Sequence, residues 1–166
     1  FLAAVLLYSR RRIAMLCAAG VALIISGGWW VAVVELVPES ARPYIGGSQT
    51  NSALELILGY NGLGRLTGEE TGSAGGGQGG GWGVASWHRM FDSGWAGQIA
   101  WLLPAALAAI AITWWLSRER MHRLSTLLWG SWLIVTWAVF SFSQGIIHEY
   151  YAVALAPAIG ALVAMA

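Results

Sequence analysis

The string His148-Glu149-Tyr150-Tyr151 combines side chains that could act on a sugar or on a lipid-linked substrate. Histidine exchanges protons near neutral pH, and glutamate can serve as a general base or as a metal ligand. The two tyrosine rings could stack on a sugar or an isoprenoid. An ordinary turn at the membrane interface, with polar residues beside tyrosines, explains the same four residues. Both interpretations stay open from the residues alone.

A second group is the glycine-rich string GYNGLGR, which covers residues 59–65. Its glycines bracket Asn61 and Arg65 and allow tight turns and close backbone approach. The planar, permanently charged guanidinium of Arg65 suits a phosphate group. The alternative is a solvated loop charge, or an ion pair of Arg65 with Glu69 or Glu70.

The remaining charged residues near these groups are weaker candidates. Trp87, His88 and Arg89, together with Asp92, form a third candidate group, for which a solvated helix end is the favoured interpretation. Glu35 and Glu55 complete the external acidic residues, and either could be ordinary surface. No spacing of residues in the sequence indicates a catalytic nucleophile–base pair. The sequence has no Cys/His spacing typical of a metal site, so we expect no metal ligands in it.

The elements that must position these residues are those of a membrane protein. Hydrophobic residues make up 57% of the sequence and charged residues only 10%, against about 25% charged residues in soluble domains. A transmembrane helix needs about 20 mainly apolar residues. The uncharged stretches are Ile13–Val34, Ser93–Ser117, Leu124–His148 and Tyr150–Ala166. Buried helices of a large soluble protein are the alternative interpretation.

We expect the sequence to be a fragment of a longer polypeptide. It begins without a methionine, and its last apolar stretch continues to the final residue. Residues 1–9 are typical of the tail of a further helix.

The arginines predict the orientation of the chain. Six of the nine lie in two short clusters, at 10–12 and at 118–123, and positive clusters in short loops mark the cytoplasmic side. The loop 35–95 and the turn 143–149 would then be extracytoplasmic. The net charge of +1, without a basic stripe, indicates no nucleic-acid partner.

We therefore predict an all-α fold, a polytopic transmembrane helix bundle that forms a single membrane domain over 1–166. The predicted spans are about 13–34, 96–117, 124–142 and 150–166. Pro104 and Pro157 fall inside two of these spans, where membrane helices tolerate proline. Five alanines between residues 105 and 111 would let another helix approach closely.

The external loop 35–95 is too long for a simple connector. Leu54, Ile57 and Leu58 predict a short amphipathic helix within 51–66, which Ser52 and Glu55 could begin as a capping box. Residues 71–83 read as a glycine-rich flexible tether.

Three strings taken together are more specific than any single residue. They are similar to the later half of a bacterial membrane glycosyltransferase of the GT-C type, related to protein O-mannosyltransferases and to the aminoarabinose transferase of lipid A. They resemble most closely the mannosyltransferases of Gram-positive bacteria. The strings are GGSQTNSALELILGYNGLGRLTG, MFDSGWAGQIAWLLPAAL and FSFSQGIIHEYYAVALAPAIGALVA.

The resemblance implies an enzyme that takes a sugar from a polyprenyl-phosphate carrier on the outer face of the membrane. The catalytic carboxylate of such enzymes is expected in an earlier loop, outside this fragment, so no catalytic residue is assigned here. The donor side would include Arg65 and Asn61 near the phosphate, with His148, Glu149, Tyr150 and Tyr151 lining the cavity. A divalent metal could share the phosphate-binding role, and the acceptor is unknown. Asp92 stands where the family leads us to expect Asn, and it receives no catalytic role.

Two other functions share the same helices. A transporter or flippase segment usually has polar or broken helices at mid-membrane depth, whereas three of the spans here are almost wholly apolar. A non-catalytic membrane scaffold leaves the long external loop without a role.

Overall fold

The structure is a computed structural model that describes residues 11–69 and 83–166. Every regular element in these two ranges is a helix, which confirms the predicted all-α class. The chain divides into two compact units. One contains Ser86–Ser141 and His148–Ala166 with the chain up to Leu16, and the other contains Cys17–Ala85 and Phe142–Ile147. The predicted helix tail at 1–9 and nearly all of the tether at 71–83 lie outside the described residues.

The first helix, α1 (Arg12–Leu36), is apolar on every face, and none of its residues is buried. At about 1.5 Å per residue it is longer than the roughly 30 Å of bilayer hydrocarbon. In the described residues it is one of two helices long and apolar enough to cross a membrane, the other being Arg120–Phe142. A soluble core helix would be buried, whereas Leu23 in α1 is 74% exposed. These helices therefore indicate a membrane protein.

The chain leaves α1 through a turn that Arg42 organises. Its guanidinium donates to the carbonyl oxygens of Glu35 and Val37, both at 2.7 Å, and to the Glu35 carboxylate at 3.0 Å. The last carbonyls of a helix have no partner within the helix, so a cation at this end stabilises it twice, by hydrogen bonds and through the helix dipole. A 3₁₀ turn covers Glu39–Ala41 in the same segment.

The predicted amphipathic helix is present in a different form. A π-helical segment, Glu55–Leu63, leads through a kink at Gly62 into the short helix α2 (Gly64–Thr67). Ser52 fulfils half of the predicted capping box, because its Oγ accepts the Glu55 N–H at 3.2 Å. The Glu55 side chain instead binds the preceding turn. The predicted apolar face is exposed: Leu54 46%, Ile57 44% and Leu58 58%.

The predicted span 96–117 coincides for most of its length with an apolar helical stretch, Ala100–Leu116. That this stretch crosses a membrane stays a prediction. The elements in this part of the chain are α3 (Ser93–Ala96), a 3₁₀ turn (Ala100–Leu102) and α4 (Leu103–Leu116). Gly97 ends α3. Pro104 lies in the first turn of α4, where its missing N–H has no partner to lose.

In the last part of the chain, a 3₁₀ segment again leads into an α-helix. α5 (Arg120–Phe142) agrees with the predicted span 124–142 and begins earlier, and it is followed by a 3₁₀ segment (Glu149–Leu155) and by α6 (Ala156–Met165). Pro157 lies in the first turn of α6, so it too begins a helix instead of interrupting one. The predicted span 150–166 is therefore α-helical only in its second part.

Helices α4 and α6 pack together, and small residues on both are buried. These residues are Ala106 and Ala109 of α4 and Ala158 of α6. Close approach at alanines is typical of helices that pack within a membrane. The expectation that the small residues after 104 let another helix approach stays a prediction, which the burial of Ala106 and Ala109 supports.

This packing gives a first testable prediction. Ala106→Leu should lower the thermal unfolding midpoint of the detergent-purified full-length protein, because Ala106 is fully buried and overpacking a buried position costs about 1–3 kcal/mol. The measurement is tryptophan fluorescence during heating. The matched control is Ala108→Leu in the same helix, where the alanine is exposed. Equal midpoints for both variants would contradict the described burial of this face of α4.

Candidate functional site

Arg65 binds the segment that follows α5. Its Nη1 donates to the carbonyl oxygen of Ile146 at 2.8 Å. In return, the N–H of Gly145 donates to the Arg65 carbonyl at 3.0 Å, and the N–H of Gln144 to the Leu66 carbonyl at 3.3 Å. We call this set of reciprocal bonds, between Arg65–Leu66 and Gln144–Ile146, the α2 clamp.

Backbone geometry explains why glycines surround Arg65. Gly62 departs from helical backbone angles with φ −110° and ψ −111°. At Gly64 an added Cβ would overlap the Gly59 carbonyl oxygen. Gly68 ends α2 in the left-handed region, with φ +81°. A Cβ added at Gly68 would lie 3.3 Å from Gln144 Cβ. Close backbone approach here matches the expectation from the sequence.

The guanidinium of Arg65 also lies over the Tyr60 ring, 4.7 Å from its centroid. A cation over an aromatic face is favourable, more so where water is partly excluded. Because Arg65 is half-buried and donates to a backbone carbonyl, it is not a simple solvated loop charge. Asn61, by contrast, is exposed.

The residues His148, Tyr150 and Tyr151 form a compact ring cluster. The imidazole stacks on Tyr150 with centroids 5.1 Å apart and an angle of 10°, and it meets Tyr151 edge-on at 5.5 Å. Tyr151 in turn contacts Phe140, which lies against the buried Trp95. Tyr150 is 60% exposed, so the cluster presents a flat aromatic face outward from a packed base. Such a face suits the apolar side of a sugar ring or an isoprenoid.

Glu149 lies beside this cluster, and its carboxylate packs directly on Gly94 of α3. An added Cβ at Gly94 would overlap the carboxylate oxygens. Glu149 is an exposed residue at the start of the 3₁₀ segment. An exposed carboxylate beside a stacked imidazole can accept hydrogen bonds from sugar hydroxyl groups.

The predicted site residues therefore form two groups. His148, Glu149, Tyr150 and Tyr151 lie together in one compact unit, and Asn61 and Arg65 lie in the other. Among the described residues, no three His, Cys, Asp or Glu side chains are grouped as a metal site would require.

The structure corrects the interpretation of Arg89 as part of a solvated helix end. Arg89 is only 2% exposed, and its Nη1 donates to the Phe140 carbonyl at 2.9 Å. The neighbouring Ser86 N–H donates to the Ser141 carbonyl at 2.9 Å. These bonds cap the end of α5, whose last carbonyls have no helical partner. Burial lowers the pKa of the Arg89 guanidinium, while the nearby Asp92 carboxylate acts in the opposite direction.

The environment of Arg89 carried one signal in the sequence. The arginine stands among apolar and aromatic residues, next to Met90, which is fully buried. Arginine is rarely fully buried unless it is paired, so burial here depends on finding an acceptor. Its acceptor lies 51 residues further along the chain, which no local pattern shows.

Glu35 and Glu55 are likewise more than ordinary surface. The Glu55 carboxylate accepts hydrogen bonds from Ser48 Oγ at 2.7 Å and from the N–H groups of Gln49 at 3.0 Å and Thr50 at 2.9 Å. These bonds, led by that of Ser48, lower the pKa of Glu55 to about 2. Glu35 accepts from Ser52 Oγ at 2.8 Å and so ties the end of α1 to the same turn.

A second prediction concerns the pH dependence of this turn. The pKa of Glu55 is lowered from its usual 4.5 to about 2 in the folded chain. The ionised carboxylate therefore stabilises the folded chain fully above pH 4.5, and this stabilisation is lost as the pH falls towards 2. Glu55→Gln should remove this contribution to the acid sensitivity of the thermal unfolding midpoint. Glu39→Gln, in the exposed turn nearby, is the control. A wild-type acid profile in Glu55→Gln would contradict the described bonds.

A third prediction tests the α2 clamp. Arg65→Gln should increase hydrogen–deuterium exchange at the amides of Gln144 and Gly145, because the clamp loses its charged donor. Mass spectrometry of the peptide that contains 143–147 measures this. Asn61→Ala, a change at an exposed neighbour, should leave the exchange unchanged. Exchange as slow in Arg65→Gln as in the wild type would show that Arg65 does not hold the segment.

Comparison with known proteins gives two relatives, both from Bacillus subtilis (strain 168). The protein named "Putative mannosyltransferase YycA" is 29% identical over 215 aligned residues, which cover 80% of this chain and 31% of the relative. The protein named "Putative mannosyltransferase YkcB" is 60% identical over 43 residues, or 26% of this chain and 6% of the relative. The chain thus spans less than a third of the length of either protein.

No protein-family model matches the chain, and no solved structure matches it. The two similar sequences nevertheless confirm the resemblance predicted from the three strings. The chain is homologous to bacterial proteins that carry the name of mannosyltransferases.

Proposed function

We propose that the chain is part of a membrane glycosyltransferase that moves a sugar, of the mannose type, from a polyprenyl-phosphate donor to an acceptor. The observation that carries the proposal is the similarity to a protein named as a mannosyltransferase over 80% of the chain. The reaction would take place on the extracytoplasmic face of a multi-pass protein. The loop 35–95 and the turn 143–149 would lie on that face, and the arginine clusters at 10–12 and 118–123 on the other.

The ring cluster supports a sugar-binding role in this proposal. His148, Tyr150 and Tyr151 offer a stacked aromatic surface, and Glu149 offers carboxylate oxygens beside it. Sugars are recognised by such a combination, since ring faces cover their C–H groups and carboxylates accept bonds from their hydroxyls. The same rings could instead line the path of the isoprenoid.

The reaction proposed is a displacement at the anomeric carbon of the donor. An acceptor hydroxyl attacks that carbon, a new glycosidic C–O bond forms, and the bond to the phosphate oxygen breaks. The hydroxyl proton passes to a base, which we expect to be a carboxylate outside this chain, and polyprenyl phosphate leaves. A guanidinium near the leaving phosphate would stabilise the developing charge.

In this scheme Arg65 and Asn61 are the donor-side residues of the second group. The α2 clamp holds Arg65 in a fixed orientation through its bond to Ile146. A guanidinium can bind phosphate oxygens in a planar, paired manner. A divalent metal could contribute at the same phosphate. Membrane lipid would surround the helices, and no nucleic acid is involved.

The proposal predicts activity in the full-length protein. Incubated with a radiolabelled polyprenyl-phosphate mannose, it should transfer label to an acceptor and release the lipid phosphate. Substrate accumulation in vesicles without any transfer would indicate a transporter or flippase and would overturn the proposal.

Within this assay, His148→Ala and Arg65→Ala should each lower kcat/KM at least about tenfold, equivalent to about 1.4 kcal/mol of transition-state stabilisation. Tyr44→Ala is the control, because Tyr44 is 88% exposed and belongs to neither group. Wild-type rates in both His148→Ala and Arg65→Ala would show that neither group takes part in binding the donor.

A further inference from the structure

An open groove of about 600 Å³ lies between α4 and α5, within one compact unit of the chain. Its lining extends on α4 from Leu107 to Trp115, and on α5 from Thr126 to Val135. Pockets that hold a small ligand measure about 300–1,000 Å³, so the groove is large enough for one ligand to lie in it.

The lining of the groove is apolar. Its two hydroxyl groups are already bound within their own helix: Thr126 Oγ1 donates to the His122 carbonyl and Ser131 Oγ to the Leu128 carbonyl, both at 2.9 Å. The other lining residues are aliphatic or aromatic, apart from Gly130. A polar ligand would find few hydrogen bonds here to offset the loss of its water. The ligand that suits the groove is therefore a hydrocarbon chain.

The length of the groove corresponds to one leaflet of a membrane. From Thr126 to Val135 the helix α5 advances nine positions, or about 14 Å at about 1.5 Å per residue. The hydrocarbon of a bilayer is about 30 Å thick, so one leaflet contributes about 15 Å. A single acyl chain that lies along α5 would therefore match the groove in length.

A cluster of positive charge lies at one end of the groove, where α4 ends and α5 begins. Arg118, Arg120 and Arg123 lie in this turn or in the first helical turn of α5, and all three are exposed. The carboxylate of Glu119, in the same turn, lies 3.3 Å from His122 Nδ1. Three guanidinium groups and one carboxylate leave a net positive charge at this end of the groove.

Arg123 joins this charge to the groove. Its guanidinium lies over the ring of Trp114, 5.6 Å from the centroid, and Trp114 belongs to the groove lining. Its Nε donates to the Ser117 carbonyl at 3.0 Å, which ties the turn to α5. Tryptophan rings are enriched at the level of the lipid headgroups. A ligand with its hydrocarbon chain in the groove would therefore place its polar end beside these cations.

We propose that the groove between α4 and α5 binds an anionic phospholipid of the membrane. One acyl chain lies along the groove, and the phosphate lies beside the turn 118–123. Basic pockets between membrane helices bind lipid headgroups of this charge. The site is distinct from the proposed sugar-binding ring cluster, because that cluster follows the opposite end of α5. The proposal requires that α4 and α5 lie in a membrane, and it does not depend on sugar transfer.

The test uses the purified full-length protein in detergent and two lipids with the same acyl chains. Dioleoyl phosphatidylglycerol is anionic, and dioleoyl phosphatidylcholine is zwitterionic. Native mass spectrometry during a lipid titration measures the affinity for each lipid. The anionic lipid should bind at least about tenfold more tightly, because the arginines attract its net negative charge.

One pair of variants tests the charged end of the site. Arg118→Gln combined with Arg120→Gln should weaken the binding of phosphatidylglycerol at least about tenfold, because two of the three cations are removed. The matched control is Arg11→Gln combined with Arg12→Gln, which removes two exposed charges from the other basic cluster and should leave the affinity unchanged.

A second pair of variants tests the groove. Ala111→Trp should weaken the binding of phosphatidylglycerol at least about tenfold, because an indole at this exposed lining position occupies the volume of the acyl chain. Ala108→Trp is the matched control at an exposed position of α4 outside the lining, and it should bind the lipid as the wild type does.

Three results would overturn the assignment. Equal affinity for the two lipids would show that charge does not select the ligand. Wild-type affinity after the change at Arg118 and Arg120 would show that the headgroup lies elsewhere. Equal affinity in Ala111→Trp and Ala108→Trp would show that no acyl chain occupies the groove. If Ala111→Trp instead altered only the oligomeric state, the occupant would be a second copy of the protein.

Discussion

The unsatisfied carbonyl groups after the two long helices are the constraint on which the rest of this structure depends. A helix of this kind ends with four carbonyls that no residue of the helix can satisfy. Arg42 binds the last carbonyls of α1, Arg89 binds one at the end of α5, and Arg65 binds the segment just beyond α5. Arg42 and Arg89 therefore carry the same physical task, and Arg65 binds a carbonyl of the segment that follows α5.

This shared task changes how the arginines are to be understood as ligand-binding groups. A guanidinium held by a backbone carbonyl has lost much of its rotational freedom before any ligand arrives. Pre-positioned donors are the kind that stabilise charge effectively during a reaction, because little reorganisation is needed. A structural role for Arg65 is thus compatible with the proposed role at the donor phosphate.

Sequence reasoning reached the helical class and the positions of α1 and α5, because long stretches that are apolar on every face allow few other structures. It did not give the boundaries between 3₁₀ and α-helix within 96–117 and 150–166, for a local reason. Pro104 and Pro157 were expected inside spans, and both stand in first turns, where proline is favoured. Hydrophobicity alone does not distinguish these positions, since the flanking residues are equally apolar.

For the candidate site, the short-range features were accessible from sequence and the long-range ones were not. The neighbours His148 to Tyr151 could be grouped because they are adjacent. The partner of Arg65 lies 81 residues away and that of Arg89 lies 51 residues away. The four hydrogen bonds of Glu55 come from residues within seven positions, yet no pattern of types distinguishes them from a solvated turn.

The contact between Gly94 and Glu149 has a consequence for how this protein can vary. With no Cβ at position 94, the carboxylate of Glu149 rests against the backbone of α3. A side chain at 94 would compete with the carboxylate of Glu149 for the same volume, so a larger residue there requires the glutamate side chain to move or to be replaced by a shorter one. A shorter residue at 149, by contrast, creates no clash with Gly94, so the constraint acts in one direction only.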